Sequence, residues 1–433
     1  MKRKLIFLQL NEVSFRLVKK YIDSGASLPG FSVLLDNGIK TTSSEASYEL
    51  LEPWIQWYSI HTGLTYEQHQ VFRLGDASLV KHETIYEALA SRDISVAALS
   101  PMNCEIPEGI AEFFVPDPWT KAKPDASWTS RFLTSVLQQS VNDNASQRLT
   151  ALTLVRLCCV LAYSLKTFEL ISLIKEALRS GSDRVKRALW LDRALFLIFK
   201  SMLRRSTPDF STLFLNGCAH VQHHYLHSSA AVASDRKVQM PRWYQAPNRD
   251  PVFESYASYD RMLQEAFQMK GCDILVATGL SQTIYPRPIF YYRLKNHDKF
   301  FKDVGIEYAS ISPRMTRDFL ITFHSVDEQT KSVELLRSLE VDGERLLGEL
   351  DVRSLDVFGV LTYANEISEK TRLNINGQSL RLDEYFVFVA LKNGCHQSEG
   401  YVAASDKRLT ASLTDGQHVA KLRPHIESLF ESE

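Results

Sequence analysis

Apolar positions run unbroken from Leu5 to Phe7 and on to Leu10 with Gln9 as the one polar interruption, then stop at Asn11-Glu12. Lys4–Leu10 therefore reads as a buried first strand, too short for a secretory apolar core, and a cytoplasmic protein is expected. The pattern then changes period. Phe15–Ser24 has helical spacing, with Phe15, Leu17, Val18, Tyr21 and Ile22 apolar and Gly25 as a stop, and Leu28-Pro29-Gly30-Phe31 opens a second helix closing at Asn37-Gly38. Ile39–Thr42 follows as a strand, Glu83–Ser91 as a helix and Ile94–Leu99 as a buried strand.

From about Trp128 to Arg205 the spacing is helical almost throughout, in Leu-rich runs at Leu149–Ala177 and Val185–Leu203. Strand character returns at Ser211–Leu215, followed by a polar loop, Asn216 to His224. Val252–Met269 is a helix and Asp273–Ala277 a strand ending at Thr278-Gly279-Leu280-Ser281-Gln282. Ile289–Leu294 and Asp318–Phe323 read as strands, Val326–Leu347 as a helix, and Tyr385–Leu391 as a strand with Lys392–His396 as its terminal loop. The recurring order of strand, polar loop and helix predicts an α/β fold, a three-layer α/β/α sandwich around a mostly parallel sheet. Residues 1–126 and 207–433 would form that domain, with 127–206 as a helical insertion or cap and a small α+β lobe within about 290–384.

Composition narrows the function classes. Fifty basic against 51 acidic residues give a net charge of −1, without the polyelectrolyte signature of nucleic-acid binding. No stretch approaches the roughly 18 apolar residues of a spanning helix, and no phosphate loop of the G-x-x-x-x-G-K type occurs. The six cysteines are scattered without a C-x-x-C pair, as expected of structural thiols in a reducing compartment. The insertion carries basic residues beside its apolar positions, including Arg204-Arg205. It reads as a cap on the core, with peripheral membrane or protein contact as the other reading.

Candidate chemistry collects at predicted strand ends. Asn11 and Glu12 follow the first strand, and His220, His223, His224 and His227 follow the strand at Ser211–Leu215, at spacings that share one face if a helix starts there. Gln282 and His396 lie in later loops. Asn11 and Glu12 have a plainer reading as a strand end and helix cap near Ser14, and Trp54 and Trp57 as packing.

Several ordered segments carry a family resemblance: Leu5–Glu12, Leu28-Pro29-Gly30-Phe31, Trp57-Tyr58-Ser59-Ile60-His61-Thr62-Gly63 with His69, Ala219-His220-Val221-Gln222-His223, Thr278-Gly279-Leu280-Ser281, and Gly394-Cys395-His396. The chain resembles the type I phosphodiesterase and nucleotide pyrophosphatase branch of the alkaline phosphatase superfamily. The resemblance implies two zinc ions and a metal-bound threonine or serine nucleophile. Carried over residue by residue, that family's first aspartate falls on Asn11, its nucleophile on Pro53 in an expected loop Glu52–Gly63, an Asp-His pair on Gly279 and Leu280, and the other metal's aspartate and two histidines on Ala219, His223 and His396. A two-metal site is therefore not expected. His223 and His396 remain as metal ligands for one divalent ion, zinc or manganese, with a replacement carboxylate to be supplied by Glu12 or Glu52, and less readily by Glu45 or Glu49.

Glu52 and His220 are the expected catalytic groups, and Asn11, Glu12, Gln56 and Gln282 the expected substrate-binding ones. Three functions stay open. One is a phosphoester hydrolase or transferase with a rebuilt site and a small anionic or sugar-phosphate ligand. Another is a metal-free acid–base catalyst in polysaccharide or envelope-glycoconjugate assembly, and the third a pseudoenzyme that binds a ligand or partner.

Overall fold

In the computed structural model, which describes residues 3–142, 150–233, 240–246, 248–313 and 317–431, every residue of β1 (Leu5–Leu10) is buried. Met1, Lys2 and Leu149 lie outside the described residues. Successive side chains of β1 point to opposite faces of the sheet. Ile6, Leu8 and Leu10 join one apolar core, and Leu5 and Phe7 join another. A strand buried on both faces demands helices on both, which is why β1 reads as an apolar run.

The remaining strands of the first unit (residues 1–284 and 394–433) build outward from it. They are β2 (Lys40–Ser43), β3 (Val96–Leu99), β4 (Ala111–Val115), β5 (Phe210–Leu215), β6 (Asp273–Ala277), Gly400–Ala404 and Gln417–His418. The order across the sheet is Gln417–His418, β2, Gly400–Ala404, β6, β1, β5, β3, β4. Only Gly400–Ala404 runs antiparallel to its neighbours, β2 and β6. The sheet is thus mostly parallel, as expected.

Helices α1 (Phe15–Asp23) and α2 (Pro29–Asp36) cover the Ile6–Leu8–Leu10 face; α3 (Pro53–Thr62) covers the other. The short α4 (Tyr66–His69) follows, then α5 (Ile85–Ala90) on the face of α3. Among the described residues, four helices lie between β4 and β5: α6 (Trp128–Asn142), α7 (Ala151–Ser164), α8 (Thr167–Ser180) and α9 (Arg184–Ser206). Buried residues of α9 run from Ala194 to Phe199 without a break, so the middle of this helix is enclosed all round. Then come α10 (Gly217–Tyr225) and α11 (Pro251–Phe267).

Four expectations are corrected. The segment Glu52–Gly63, expected as a loop, is helix α3: Pro53 occupies its first turn, where a missing N–H costs nothing, and Gly63 ends it at φ 72°, its N–H bonded to the Ser59 carbonyl at 2.8 Å. The expected loop at Asn216–His224 is helix α10. The expected helix Val326–Leu347 ends at Arg337, because Asp342 and Gly343, both at positive φ, turn the chain into a hairpin. Lys392–His396 is not a loop but lies inside the strand Phe386–Gln397.

Residues 285–393 form the second unit. A four-stranded antiparallel sheet, in the order Asp351–Arg353, Asp356–Val360, Asp318–Thr322, Ser310–Pro313, accompanies helices His297–Val304 and Val326–Arg337. Its own core is built on Phe300, Phe301, Phe319, Ile321 and Val357.

Helix α9 also anchors α10. The first N–H groups of a helix have no partner within it; Gly217 N–H donates to Asp192 Oδ2 at 2.7 Å, and Cys218 N–H to the Tyr259 hydroxyl at 3.2 Å. Tyr259 in turn donates to Asp192 Oδ2 at 2.5 Å. Burial pushes the Asp192 carboxyl up to about 6, against the opposing pull of its hydrogen bonds from Tyr259, Gly217 and Asn216. The folded chain therefore holds a proton between about pH 4 and 6 that the unfolded chain has released, so this group's contribution to stability falls as pH rises through that window and is level above it. Asp192→Asn keeps an accepting oxygen and is expected to flatten the slope. Urea melts at pH 4.5 and 7 should show the wild type losing about 2 kcal/mol relative to the variant on going to the higher pH.

Candidate metal centre

Register brings the site together. Leu10 pairs with Leu215 and Gln9 with Ala277, so the carboxyl ends of β5, β1 and β6 stand side by side. Asn11-Glu12, Asn216-Gly217 and Thr278-Gly279 leave the sheet at one edge, the usual ligand position of an open parallel sheet. Glu12 takes φ 59°, uncommon for a residue with a side chain. Its N–H donates to the Thr278 carbonyl at 3.0 Å, and its carbonyl accepts from Gln222 Nε2 at 2.8 Å. Gln222 is itself held by the Tyr256 hydroxyl at 2.7 Å. These bonds fix the turn and aim the Glu12 carboxylate at α10.

Glu12 Oε2 lies 3.2 Å from His223 Nε2 and 3.5 Å from His396 Nε2, and the two imidazole nitrogens are 3.2 Å apart. A tetrahedral ion with bonds of about 2.0 Å needs ligand atoms about 3.3 Å from one another. The three atoms therefore fit three corners of one such tetrahedron. His223 Nδ1 lies 3.0 Å from the Gly394 carbonyl, which can only accept, so Nδ1 carries the proton. In the neutral ring, Nε2 then presents its lone pair to Glu12 and His396. Fixing a histidine tautomer through a backbone carbonyl is how metal-binding imidazoles are commonly oriented. On the far side of His396, Glu52 Oε2 stands 3.8 Å from Nδ1.

The remaining oxygen of Glu12 is held from behind. Trp57 Nε1, a donor only, bonds Asn11 Oδ1 at 2.8 Å, which turns the Asn11 amide nitrogen toward Glu12 Oε1 at 3.0 Å and Asn216 Oδ1 at 2.8 Å. Gln282 Nε2 bonds Glu12 Oε2 and, at 3.1 Å, the Ala219 carbonyl. Burial alone would raise the Glu12 carboxyl, yet protons on the facing nitrogens of His396 and His223, through their charge and hydrogen bonds, hold it well below the ordinary carboxylate range when no cation takes their place. Gly394 is required in its place: an added Cβ would run into the Gln282 side chain and approach the Gln222 carbonyl oxygen to 2.8 Å.

The structure brings some of the expected site residues together and leaves others apart. His223, His396, Glu12, Asn11 and Gln282 are brought together, with Glu52 at their edge. Gln56 is buried and turned to its own segment, donating to the Leu50 carbonyl at 2.7 Å. His220 is exposed, and its ring packs against His224 at 4.7 Å. Glu45 and Glu49 are engaged elsewhere, by the Tyr66 N–H and by the Ser47 hydroxyl. His69 is buried; its Nδ1 accepts from Val71 N–H, leaving Nε2 to donate to Ser59 Oγ at 3.0 Å, and burial lowers it to about 4.

Sequence reasoning missed Trp57, Asn216, Gln222 and the Gly394 carbonyl as parts of this centre. Trp57 is wholly buried, with its indole where a Cβ on Gly279 would approach it to 3.2 Å. Gly279 is at φ 71°. A side chain there would meet both backbone strain and the indole.

No protein-family model matches the chain, and no curated protein matches it. Solved structures align over nearly its whole length. Phosphonoacetate hydrolase from Sinorhizobium meliloti 1021 is 13% identical over 98% of this chain and 95% of its own, with a TM-score of 0.43. Alkaline phosphatase from the Antarctic bacterium TAB5 is 9% identical over 100% and 99%, at 0.41. Murine ectonucleotide pyrophosphatase/phosphodiesterase 5 is 11% identical over 99% and 95%, at 0.39.

Proposed function

We propose that the chain holds one divalent cation, zinc or manganese, on Glu12, His223 and His396, and acts on a small phosphoester or sugar-phosphate anion. The observation that carries this reading is the convergence of the three ligand atoms at tetrahedral spacing, with the His223 tautomer set by the Gly394 carbonyl. Three acceptor atoms at this range repel one another unless a cation or a proton lies between them. Two imidazoles and one carboxylate also leave a fourth position open, the ligand count of catalytic rather than structural zinc. A cation held there supplies Lewis-acid polarisation of a phosphoryl oxygen.

The chain's own residues have separate tasks. Asn11 and Gln282 fix the Glu12 carboxylate, and Gly394 fixes His223. Glu52, more exposed than the ligands and adjacent to His396, accepts a proton from the attacking water at Oε2. Pro53 has neither a nucleophilic atom nor an N–H, so it takes no part in attack.

Glu52→Gln is expected to lower kcat on aryl phosphomonoesters or phosphodiesters by about 100-fold or more while leaving metal content unchanged. An unchanged kcat would remove Glu52 from the mechanism. A second reading, a ligand-binding scaffold without turnover, is favoured by Pro53 and by Trp57, whose indole occupies the space beside Gly279. It takes precedence if the metal-loaded wild type turns over neither substrate class. Turnover that survives chelation would instead favour metal-free acid–base chemistry on the same groups.

A further inference from the structure

Helices α7 and α8, joined at Leu165-Lys166, turn apolar side chains away from the protein. On α8 the buried positions Glu169, Leu173 and Ser180 mark the inward face. Phe168, Ile171, Ile174 and Leu178, at spacings of three and four, form a stripe elsewhere on the helix, with Ile171 and Leu178 nearly opposite that face. Phe168 is 68% exposed and Leu178 77%. On α7, Leu152, Val155, Tyr163 and the free thiols Cys158 and Cys159 are also exposed. Single exposed apolar residues are ordinary, but a stripe along each of two consecutive helices leaves more apolar surface in water than scattered residues do.

Charge on this segment is one-sided. From residue 150 to 187 every exposed charged residue is basic: Lys166, Lys175, Arg179, Arg184, Lys186 and Arg187. Of the acids, Glu169 is buried, Glu176 is partly covered, and Asp183 pairs with Arg249 at 2.8 Å. Exposed Trp128 and Tyr163 stack edge to face at 5.0 Å, with Arg205 over the Tyr163 ring at 3.8 Å. Aromatic and basic residues around an apolar stripe suit the boundary between lipid headgroups and acyl chains. A second copy of the chain would set like charge against like charge across a two-fold interface. Among the described residues no helix is long and apolar enough to cross a membrane.

We propose that α7 and α8 dock on the surface of an anionic lipid bilayer, with the apolar stripes at the headgroup level and the lysines and arginines facing lipid phosphates. This docking is independent of the metal reading. Cosedimentation of the full-length protein with phosphatidylcholine vesicles, with and without phosphatidylglycerol, tests it. Binding to the mixed vesicles is expected, at least about tenfold tighter than to phosphatidylcholine alone and weakened by added salt. Phe168→Ser, Ile171→Ser and Leu178→Ser together should lower binding at least about tenfold, with melting temperature and metal content unchanged. Lys175→Glu with Arg179→Glu should abolish the preference for anionic lipid. The proposal is overturned if neither vesicle binds, if binding ignores the three serine substitutions, or if those substitutions convert a dimer to a monomer in a protein indifferent to vesicles.

Discussion

His223→Ala is expected to weaken divalent-metal retention by more than about 100-fold, because removal of a mere orienting partner of a metal ligand already costs about 10- to 100-fold. The Glu12→Gln variant should behave alike, since the amide offers a neutral oxygen where Oε2 is now shared by both imidazoles. Glu52→Gln should retain the metal, as Glu52 reaches only the far nitrogen of His396, at 3.8 Å. Metal content after gel filtration, measured by atomic emission, separates these three. Equal metal in the wild type and His223→Ala would mean that the ion, if any, sits elsewhere.

The second large effect lies behind the ligands. Asn11→Asp restores the residue type that the family resemblance places at this position, yet it is expected to destabilise the metal-free chain by about 3–5 kcal/mol. The Asn11 amide donates to Glu12 Oε1 and to Asn216 Oδ1 while accepting from Trp57. An aspartate keeps the bond from Trp57, loses both donors, and sets a second carboxylate about 3 Å from the first in a buried site. Facing carboxylates cannot both stay ionised, so one binds a proton more readily in the folded chain than in the unfolded one. The deficit should therefore shrink as pH falls. Urea melts at pH 7.5 and pH 5 give the comparison, and an Asn11→Asp variant as stable as the wild type at pH 7.5 would show that Asn11 does not carry the Glu12 carboxylate.

How far the molecule is legible in its sequence depends on which physical signal each element leaves. The β1, β5 and β6 strands are buried on both faces, so their apolar runs stand out, and the polar residues that end them mark the site edge. Helices α3 and α10 leave no comparable signal. Nine of the ten residues of α3 are buried, polar ones included, so no apolar stripe alternates with a polar face, and Trp, Tyr, Ser, His and Thr are weak helix formers. The Asp342-Gly343 pair was a readable turn signal, overridden by apolar spacing on either side.

His223 and His396 were reachable from ordered motifs. The carboxylate that joins them was not: Glu12 and Glu52 are equally plausible by position, and the choice turns on the left-handed backbone at Glu12, held by Thr278 and Gln222 from distant parts of the chain. Trp57 is the same kind of case. Its role in orienting Asn11 depends on the β1 edge, α3 and the Gly279 turn meeting in space.

X-ray absorption spectroscopy of the wild-type protein, purified and loaded with zinc, tests the central claim most directly. The account predicts one ion per chain with two imidazoles and one carboxylate oxygen at about 2.0–2.2 Å and a light-atom ligand in the open position. A stoichiometry near zero, or a shell without imidazole scattering, would contradict it.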